Sequence, residues 1–299
     1  MVFKEMETLS CETCHRPTFC CSCESSFKSF DDVLSSRCSG GVINNVKFSN
    51  INISTMTVCF NFNQPLNLQL LKTVLDEKLA VSYNPGSRKS KVKKKKGTDS
   101  FYNSFDIKLT FVDRSVEPVI FSNVSIFIFP NGKVKAAGIQ TINTIKVMVD
   151  ELIETIRYIE GPVVEDVNKL DIENVKIQMI CSDFKIKPLT PEPDGWCLKQ
   201  EDLKNILVKQ GYSATFSALS RYPGINLKFP SRIEHGKQIS LLIFRSGSII
   251  ITGAKYPEDI AESYVFITGL IAANNEIFYY DINEEIKQRK KRNKNVVKK

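Results

Sequence analysis

Residues Leu241 to Lys255 have the sequence LLIFRSGSIIITGAK, in which two apolar runs flank a polar turn at residues 245–247. This pattern is typical of two strands joined by a tight turn. Strand alternation places Leu242 and Phe244 on one face and Leu241 on the other, so both faces of the first strand are apolar. Such a strand has to bury both sides, which predicts a partner for any face that the rest of the chain leaves uncovered.

The same pattern occurs earlier in the chain. Ile126 to Gly138 reads IFIFPNGKVKAAG, and upstream the run INNVK at Ile43 to Lys47 recurs as IENVK at Ile172 to Lys176. Two motifs that recur in the same order indicate a duplicated unit. We expect one repeat at residues 42–162 and a second at 168–282.

Each repeat is predicted to have the element order β-α-β-β-β-β-α. In the first repeat the opening strand is expected at Val46 to Asn61, with a break near Asn52, and a helix is expected to begin at Pro65. Apolar stripes at helical spacing predict a longer closing helix in each repeat, before Gly161 and after Pro257. This order predicts an α+β fold in which an antiparallel sheet carries its helices on one face and leaves the other face open and apolar.

Composition indicates a soluble intracellular protein. The chain has 299 residues, of which 42% are hydrophobic, and it lacks both a signal-peptide pattern and an apolar run near the roughly 20 residues of a membrane helix. The net charge is +8, but the segments 88–96 and 287–299 hold seven and eight positive residues, so the remainder carries about −7. The Lys-rich insertion 86–100 and the basic tail 283–299 are predicted to contact phosphate, to serve as a nuclear-import signal or to aid solubility.

Residues 1–40 contain six of the nine cysteines. The C-x-x-C pairs Cys11 with Cys14 and Cys20 with Cys23 fit a small zinc knuckle, and a disordered cysteine-rich tail is the alternative. The C-x-x-C-H pattern that ends at His15 also fits haem attachment, but this requires an export pathway that nothing else in the sequence implies.

Catalytic residues are not evident. With two histidines and no carboxylates clustered around a nucleophile, we expect a protein that is not an enzyme and requires no cofactor.

The duplicated motif resembles that of a known family. LLIFRSGSIIITGAK is very similar to the second-repeat signature of the TATA-box-binding protein family, and IFIFPNGKVKAAG is similar to the first-repeat version. The resemblance extends through Leu66 to Pro85, LNLQLLKTVLDEKLAVSYNP, and through Tyr222-Pro223-Gly224, so that it covers residues 42–282. The cysteine-rich head and the Lys-rich insertion look most like the versions carried by large DNA viruses of eukaryotes.

The resemblance implies a saddle in which two pseudo-symmetric repeats form one curved antiparallel sheet with helices on the convex face. Its concave face would lie on the minor groove and push aromatic wedges into base steps. Phe129 and Phe244 match the wedge that precedes each turn, and Tyr222 matches the second wedge of repeat 2. Phe105, with Tyr102 as the rival, is the expected counterpart in repeat 1.

Other side chains would contact the groove floor. Asn45 and Asn174 are the expected central readers, since an amide can donate to the acceptors shared by A·T and T·A pairs, although an Asn at a strand edge or bulge is the alternative reading. The remaining expected DNA contacts are Phe127, Leu242, Ile250 and Thr252, with Lys135 and Ala137 as the repeat 1 equivalents of Ile250 and Thr252. Lys47 and Lys176, which stand where the family usually has apolar residues, complete the set.

The function implied by the resemblance is transcription initiation. We expect a monomer that binds and bends A·T-rich promoter DNA and recruits general transcription factors and RNA polymerase, without a membrane partner, in the nucleus or in a cytoplasmic viral factory. The alternative is a scaffold or decoy that keeps the fold but binds DNA weakly or not at all. Ser220 and Arg221 replace an acidic-apolar pair of the family, which puts standard partner recruitment in doubt.

Overall fold

A computed structural model describes residues 28–75, 82–83, 103–159, 161–189, 196–217 and 223–278 of the chain. The described residues form two compact units. Unit 1 consists of Thr55–Met179, and unit 2 consists of Ser29–Ser54 together with the residues from Ile180 onward.

The described residues form five α-helices and twelve strands, and the order of these elements repeats along the chain. The helices are α1 (Lys28–Arg37), α2 (Leu68–Leu75), α3 (Ile142–Arg157), α4 (Gln200–Lys209) and α5 (Pro257–Ala273). The strands are β1 (Gly41–Ile43), β2 (Val46–Phe48), β3 (Asn52–Phe62), β4 (Ser82–Tyr83), β5 (Phe105–Asp113), β6 (Ile120–Ile128), β7 (Lys133–Ile139), β8 (Ile172–Pro188), β9 (Ser213–Thr215), β10 (Gly224–Pro230), β11 (Gln238–Phe244) and β12 (Ser248–Ala254).

Unit 1 contains an antiparallel sheet with the strand order β4-β5-β6-β7-β3. Its first strand, β3, pairs with its last, β7, because the chain crosses from β3 to the edge strand β4 and then meanders back through β5 and β6 to β7. Unit 2 repeats this arrangement as β9-β10-β11-β12-β8. From β3 to α3, and again from β8 to α5, the order is β-α-β-β-β-β-α, which confirms the predicted α+β class.

In both units, strand alternation separates a buried face from an open one. In β11, Leu241 and Ile243 are fully buried, whereas Leu242 and Phe244 remain partly exposed. The helices lie on the buried side, where α3 packs against β5 and β7 and α5 packs against β12. The apolar stripes predicted for the closing helices form this core, as the burial of Ile145 illustrates.

The turn after the aromatic residue has the same geometry in both units. The N–H of Gly247 donates to the carbonyl of Phe244 at 2.9 Å, and Gly247 has a φ of 78°. The corresponding bond in unit 1 joins Gly132, with a φ of 82°, to Phe129 at 3.0 Å. A left-handed residue that closes a three-residue loop is a common way to build a twisted hairpin.

A hairpin that the sequence pattern did not predict lies before the first repeat. β1 and β2 are joined by Asn44 and Asn45, which both have left-handed backbone, and β2 pairs with the end of β8. The predicted opening strand is therefore two strands, interrupted at residues 49–51. This interruption agrees with the break expected near Asn52. Residues 29–54 belong to unit 2, where α1 bonds to α5 through Arg37 and Glu262.

None of the helices in the described ranges combines the length and apolar character needed to cross a bilayer.

Two glycines with the same φ allow the cost of close packing at the turn to be measured. A Cβ on Gly247 would lie 2.2 Å from the carbonyl oxygen of Ile186 and 2.4 Å from the Trp196 ring, whereas a Cβ on Gly236, also at φ 78°, would meet nothing within 4 Å. We expect Gly236→Ala to lose about 1 kcal/mol of unfolding free energy from backbone strain alone. Gly247→Ala should lose at least about 2 kcal/mol more, because backbone has to move.

Urea unfolding followed by circular dichroism measures both values. Equal losses for the two variants would show that the approach of Gly247 to β8 is not a constraint.

Candidate nucleic-acid interface

The open face of unit 2 consists of the residues on β8 to β12 whose side chains alternate away from the helices. Four neighbouring strands place Asn226, Leu242, Ile250 and Asp183 in one row, as given by the pairs Asn226–Leu242, Leu242–Ile250 and Ile250–Asp183. An adjacent row contains Ser240 opposite Thr252, and Thr252 opposite Cys181. The centre of this face is therefore apolar, with small polar side chains beside it.

Phe244 lies at one end of this face, directly opposite Gly224. Carbons of its ring come within 3.1 and 3.3 Å of the place that a Cβ on Gly224 would occupy, so the ring lies over the glycine. The two residues border an open depression of ≈ 360 Å³, which is also lined by Thr215, Phe216, Ser217, Asn226 and Leu242. An aromatic ring supported by backbone on one side and exposed on the other is a rigid apolar projection.

Asn226 is a polar residue that sequence reasoning missed. It lines the same depression beside Leu242, and its Oδ1 is shielded from solvent without a hydrogen-bond partner within the described ranges. A buried polar atom without a partner costs about 1–3 kcal/mol. Since Oδ1 is an acceptor, only a ligand that brings a hydrogen-bond donor would recover this cost. Lys228, two residues later on the same face, was likewise missed by sequence reasoning. Its ammonium donates to the hydroxyl of Ser240 at 2.6 Å.

The open face of unit 1 has the same layout but a different chemistry. Phe127 lies between Asp106 on β5 and Lys135 on β7, and Lys135 in turn pairs with Cys59 on β3. Phe129 directly follows β6 and is partly exposed, like Phe244. Phe127, Phe129, Lys135 and Ala137 thus lie at the positions equivalent to Leu242, Phe244, Ile250 and Thr252, counted from the two matching turns.

Two cysteines face these open surfaces as neutral thiols. Burial raises the pKa of Cys59, although the ammonium of Lys135 acts in the opposite direction. Burial likewise raises the pKa of Cys181, and the nearby carboxylate of Asp183 adds to this shift while a hydrogen bond with Thr252 opposes it. Since both pKa values rise from about 9, neither thiol ionises at neutral pH, and both behave as small apolar groups.

Asp183 is the acidic group of the unit 2 face. Its Oδ1 accepts hydrogen bonds from the Ser54 hydroxyl at 2.5 Å and from the Asn52 amide at 3.2 Å. These two donors partly compensate the negative charge of the carboxylate, but they do not neutralise it.

The expectation that Phe105 is a wedge is wrong. Phe105 is fully buried and pairs with buried Ile128, so it belongs to the core beneath α3. The pairing of β5 with β6 begins at Phe105–Ile128, and one further step in the same register would set Ser104 opposite Phe129, as Gly224 stands opposite Phe244. Counting back two residues from Ser104 and from Gly224 gives Tyr102 and Tyr222, so the register favours the rival residue.

Asn45, an expected reader of the groove floor, lies before the predicted opening strand of repeat 1. It lies in the β1–β2 turn, where its carbonyl accepts a bond from the N–H of Leu189 at 2.7 Å. Asn45 and Asn174 are 129 residues apart, whereas Phe62 and Ile186, which donate to the equivalent turn carbonyls of Gly132 and Gly247, are 124 apart. The recurring INNVK and IENVK runs are therefore not equivalent in the fold.

Lys47, Asn174 and Lys176 are exposed, but the structure places them differently from the sequence pattern. Lys47 lies in β2, opposite Lys187, and not in a strand of repeat 1. Asn174 has a left-handed backbone, with a φ of 54° inside β8. This interrupts the alternation at the start of β8, so alternation no longer assigns Asn174 and Lys176 to the open face. Their contact with DNA stays a prediction.

Several predicted residues lie outside the described residues. They are Tyr222, its counterpart Tyr102 in repeat 1, and the four cysteines Cys11, Cys14, Cys20 and Cys23. Within the described ranges no group of three or more His, Cys, Asp or Glu side chains is arranged to hold a metal ion. Zinc binding by the cysteine-rich head remains a prediction.

Comparisons with known proteins agree with the resemblance read from the sequence. Residues 202–273 match the model of a family described as transcription factor TFIID, or TATA-binding protein. A protein of Acanthamoeba polyphaga mimivirus named TATA-box-binding protein-like is 28% identical over 246 residues, which cover 73% of this chain and 64% of the relative. The chain thus spans less than two thirds of the length of that relative.

A solved structure was also matched. TBP from Methanococcus jannaschii corresponds to 74% of this chain and 97% of its own, with a TM-score of 0.43 and 20% identity. The predicted resemblance to TATA-box-binding proteins is confirmed by the family model and the mimivirus relative. The family described is one of transcription factors, as expected for a protein that is not an enzyme.

Neighbouring leucines on β11 provide a test of the two faces. Leu241 is fully buried and Leu242 lines the open depression. We expect Leu241→Ala to lower the free energy of unfolding by about 2–5 kcal/mol, because it leaves a cavity in a packed core. Leu242→Ala should cost less than about 1 kcal/mol, since water already reaches this side chain.

Chemical unfolding of both variants measures these losses of unfolding free energy. Comparable losses for the two variants would contradict the assignment of the buried and open faces.

Proposed function

We propose that this chain, which resembles TATA-box-binding proteins, is an initiation factor that lays the open faces of its two units on the minor groove of A·T-rich promoter DNA and bends it. The proposal is carried by one observation. In each unit a partly exposed phenylalanine, Phe129 or Phe244, ends a strand of the open face immediately before a rigid glycine turn.

These two phenylalanines are suited to act as wedges. The Phe244 ring rests on Gly224 and is fixed by a turn whose glycine packs against Ile186, so little entropy is lost when it enters a base step. Unstacking one step costs about a few kcal/mol. Burial of the remaining ring surface, at roughly 25 cal/mol per Å², and the wider protein surface that a bent duplex can cover offset this cost.

Tyr102 and Tyr222 are proposed as the second aromatic of each unit. They stand two residues before Ser104 and Gly224. Gly224 lies opposite Phe244, and Ser104 would lie opposite Phe129 if the β5–β6 register continued by one residue. Two aromatic residues in each unit would then enter the same base step from one end of the site. The tyrosine hydroxyl would remain at the groove edge, where water is available.

A preference for A·T pairs follows from the chemistry of the open face of unit 2. Leu242 and Ile250 present flat apolar surface, and a G·C pair would bring its guanine amino group against them without a partner. Beside this surface, the amide nitrogen of Asn226 and the hydroxyl of Thr252 can donate to the acceptors that A·T and T·A pairs share.

The open face of unit 1 is proposed to bind with less apolar contact and more charge. Lys135 occupies the place of Ile250, and Ala137 the place of Thr252. A lysine ammonium can donate to groove acceptors or reach a phosphate, and either contact makes binding salt-dependent. We expect sequence selectivity to come mainly from unit 2.

The bent complex is proposed to recruit general transcription factors and RNA polymerase. The similarity of the chain to a mimivirus protein supports a viral setting, with action in the host nucleus or in a cytoplasmic viral factory. The Lys-rich insertion and the basic tail are proposed to add phosphate contacts or a nuclear-import signal.

A second function, an interaction scaffold with weak DNA binding, is favoured by the acidic residues of the open faces. Asp106 lies beside Phe127, and Asp183 lies beside Ile250. A carboxylate near the phosphates costs binding energy unless a cation compensates it. Tight A·T-biased binding in fluorescence anisotropy supports the initiation factor, whereas weak, unselective binding supports the scaffold.

The double substitution Phe129→Ala with Phe244→Ala tests the wedges. Energy transfer between dyes at the two ends of an A·T-rich duplex should report bending with the wild type and a straight duplex with the variant. Affinity should fall at least roughly 30-fold, because each aromatic–base contact contributes about 1–3 kcal/mol.

The matched control is Tyr158→Ala, which removes an 83% exposed aromatic side chain after α3. It should leave both bending and affinity unchanged. Wild-type bending by the double variant would refute the wedge mechanism.

Asn226→Ala tests the reader role of the buried amide. We expect the preference for an A·T site over the same site with one central G·C pair to fall by about 1 kcal/mol, a change of roughly fivefold, since one hydrogen-bonding side chain is lost. Competition binding at fixed salt measures this ratio.

Ser217→Ala, at the rim of the same depression, is the control and should preserve the preference. An unaltered ratio for Asn226→Ala would exclude the amide from base discrimination.

A further inference from the structure

The β1–β2 hairpin enlarges the sheet of unit 2 on the side of β8 away from β12. β2 pairs with β8 through Val46–Pro188, Lys47–Lys187 and Phe48–Ile186. Val46, Phe48 and Ile186 are buried. Lys47 and Lys187 therefore alternate outward, onto the open face that also carries Asp183 and Ile250.

Three exposed lysines meet on this part of the face. Lys47 and Lys187 are direct cross-strand partners, and Lys185 is two residues before Lys187 on the same side of β8. Like charges placed directly opposite each other destabilise a sheet. Among the described residues of this face, the nearest acidic group is Asp183, which accepts hydrogen bonds from Ser54 and Asn52. The arrangement therefore favours an anionic partner.

The β1–β2 hairpin, which carries Lys47, is held in place by hydrogen bonds. The Asn44 amide donates to the carbonyl of Ala272 at 3.2 Å, and the Asn275 amide donates to the carbonyl of Asn44 at 3.0 Å. The Tyr264 hydroxyl donates to the carbonyl of Ser49 at 2.9 Å. These bonds tie both ends of the hairpin to α5 and the segment that follows it, so its backbone is already ordered before a ligand binds.

The position of Lys185 has a counterpart in unit 1. Lys133 begins β7 after the Phe129 turn and faces Asn61, whereas Ser248 begins β12 after the Phe244 turn and faces Lys185. The cross-strand pair next to the turn therefore contains one lysine in each unit. In unit 1 this lysine lies on β7, and in unit 2 it lies on β8. A cation beside the aromatic residue is thus common to both units, while Lys47 and Lys187 occur in unit 2 alone.

We propose that Lys47, Lys185 and Lys187 form a phosphate-binding strip that holds the backbone of duplex DNA beyond the base step entered by Phe244. This rests on the proposed DNA-binding function and extends it to the flank of the site. The strip reads no bases. It lengthens the contacted duplex on the side of unit 2 and adds salt-dependent affinity.

The test uses a double variant that carries both Lys47→Gln and Lys187→Gln. Its binding to a long duplex with an A·T-rich centre is compared with that of the wild type. The slope of log Kd against log salt concentration should become shallower by about 1.8, because each lost phosphate contact changes it by about 0.9. The bend measured by energy transfer should persist. The midpoint of thermal unfolding should stay unchanged or rise, because a like-charge pair is removed.

Lys146→Gln with Lys209→Gln is the matched control, since it removes two charges from α3 and α4 on the helical side. Its slope should equal that of the wild type. On a short duplex trimmed to the A·T-rich centre, the Lys47/Lys187 variant and the wild type should bind alike, because the flanking phosphates are absent.

The outcomes separate this proposal from the one on which it rests. If the wild type bends DNA and the Lys47/Lys187 variant keeps the wild-type slope, the strip is refuted while the initiation factor stands. If the slope changes equally on short and long duplexes, or equally in the helical-side control, the lysines act through general charge and the strip is refuted. A wild type that binds no duplex refutes both proposals.

Discussion

The organisation of this protein depends on the one-sided coverage of each sheet. Strand alternation gives every strand two sets of side chains, and the helices of a unit can bury only one of them. In β11 the buried set is Leu241 and Ile243, and the other set, Leu242 and Phe244, is apolar as well. Apolar surface left in water retains free energy that a ligand can release. The open faces are therefore the part of the described molecule with the most to gain from a partner.

The turns fix the position of the aromatic side chains on this surface. Because Gly247 approaches Ile186 and Trp196 closely, the hairpin of β11 and β12 is tied to β8, and the Phe244 ring is held over Gly224. The same bond between a turn glycine and the neighbouring strand recurs at Gly132 and Phe62. Fixing an apolar side chain before binding reduces the entropy lost on binding. Stability of the turn and the proposed deformation of a duplex thus depend on the same contacts.

Sequence reasoning succeeded where local periodicity carries the information. The helical stripes, the strands and the open positions of Phe127, Leu242 and Phe244 follow from alternation and turn chemistry, as the structure has them. For Asn45, short recurring letters were taken for structural equivalence, and for Phe105 the Lys-rich insertion obscured the alignment with repeat 2. In both cases only strand pairing fixes the register. The partner of β2 could not be foreseen, since it lies some 140 residues away. Asn226 was detectable, because alternation along β10 already places it beside Gly224 on the open side.

The differences between the units bear on how a duplicated protein reads an asymmetric site. Two identical open faces would bind an A·T-rich duplex equally well in either direction, because the minor-groove acceptors of A·T and T·A are nearly alike. Here Lys135 in unit 1 takes the place of Ile250 in unit 2, and the hairpin with Lys47 adds cations to unit 2 alone. A duplex whose ends differ in groove width or deformability would therefore bind the two directions with different free energies. The orientation of the protein on the duplex would then be set by unequal contacts of two similar units, and no base would have to be identified uniquely.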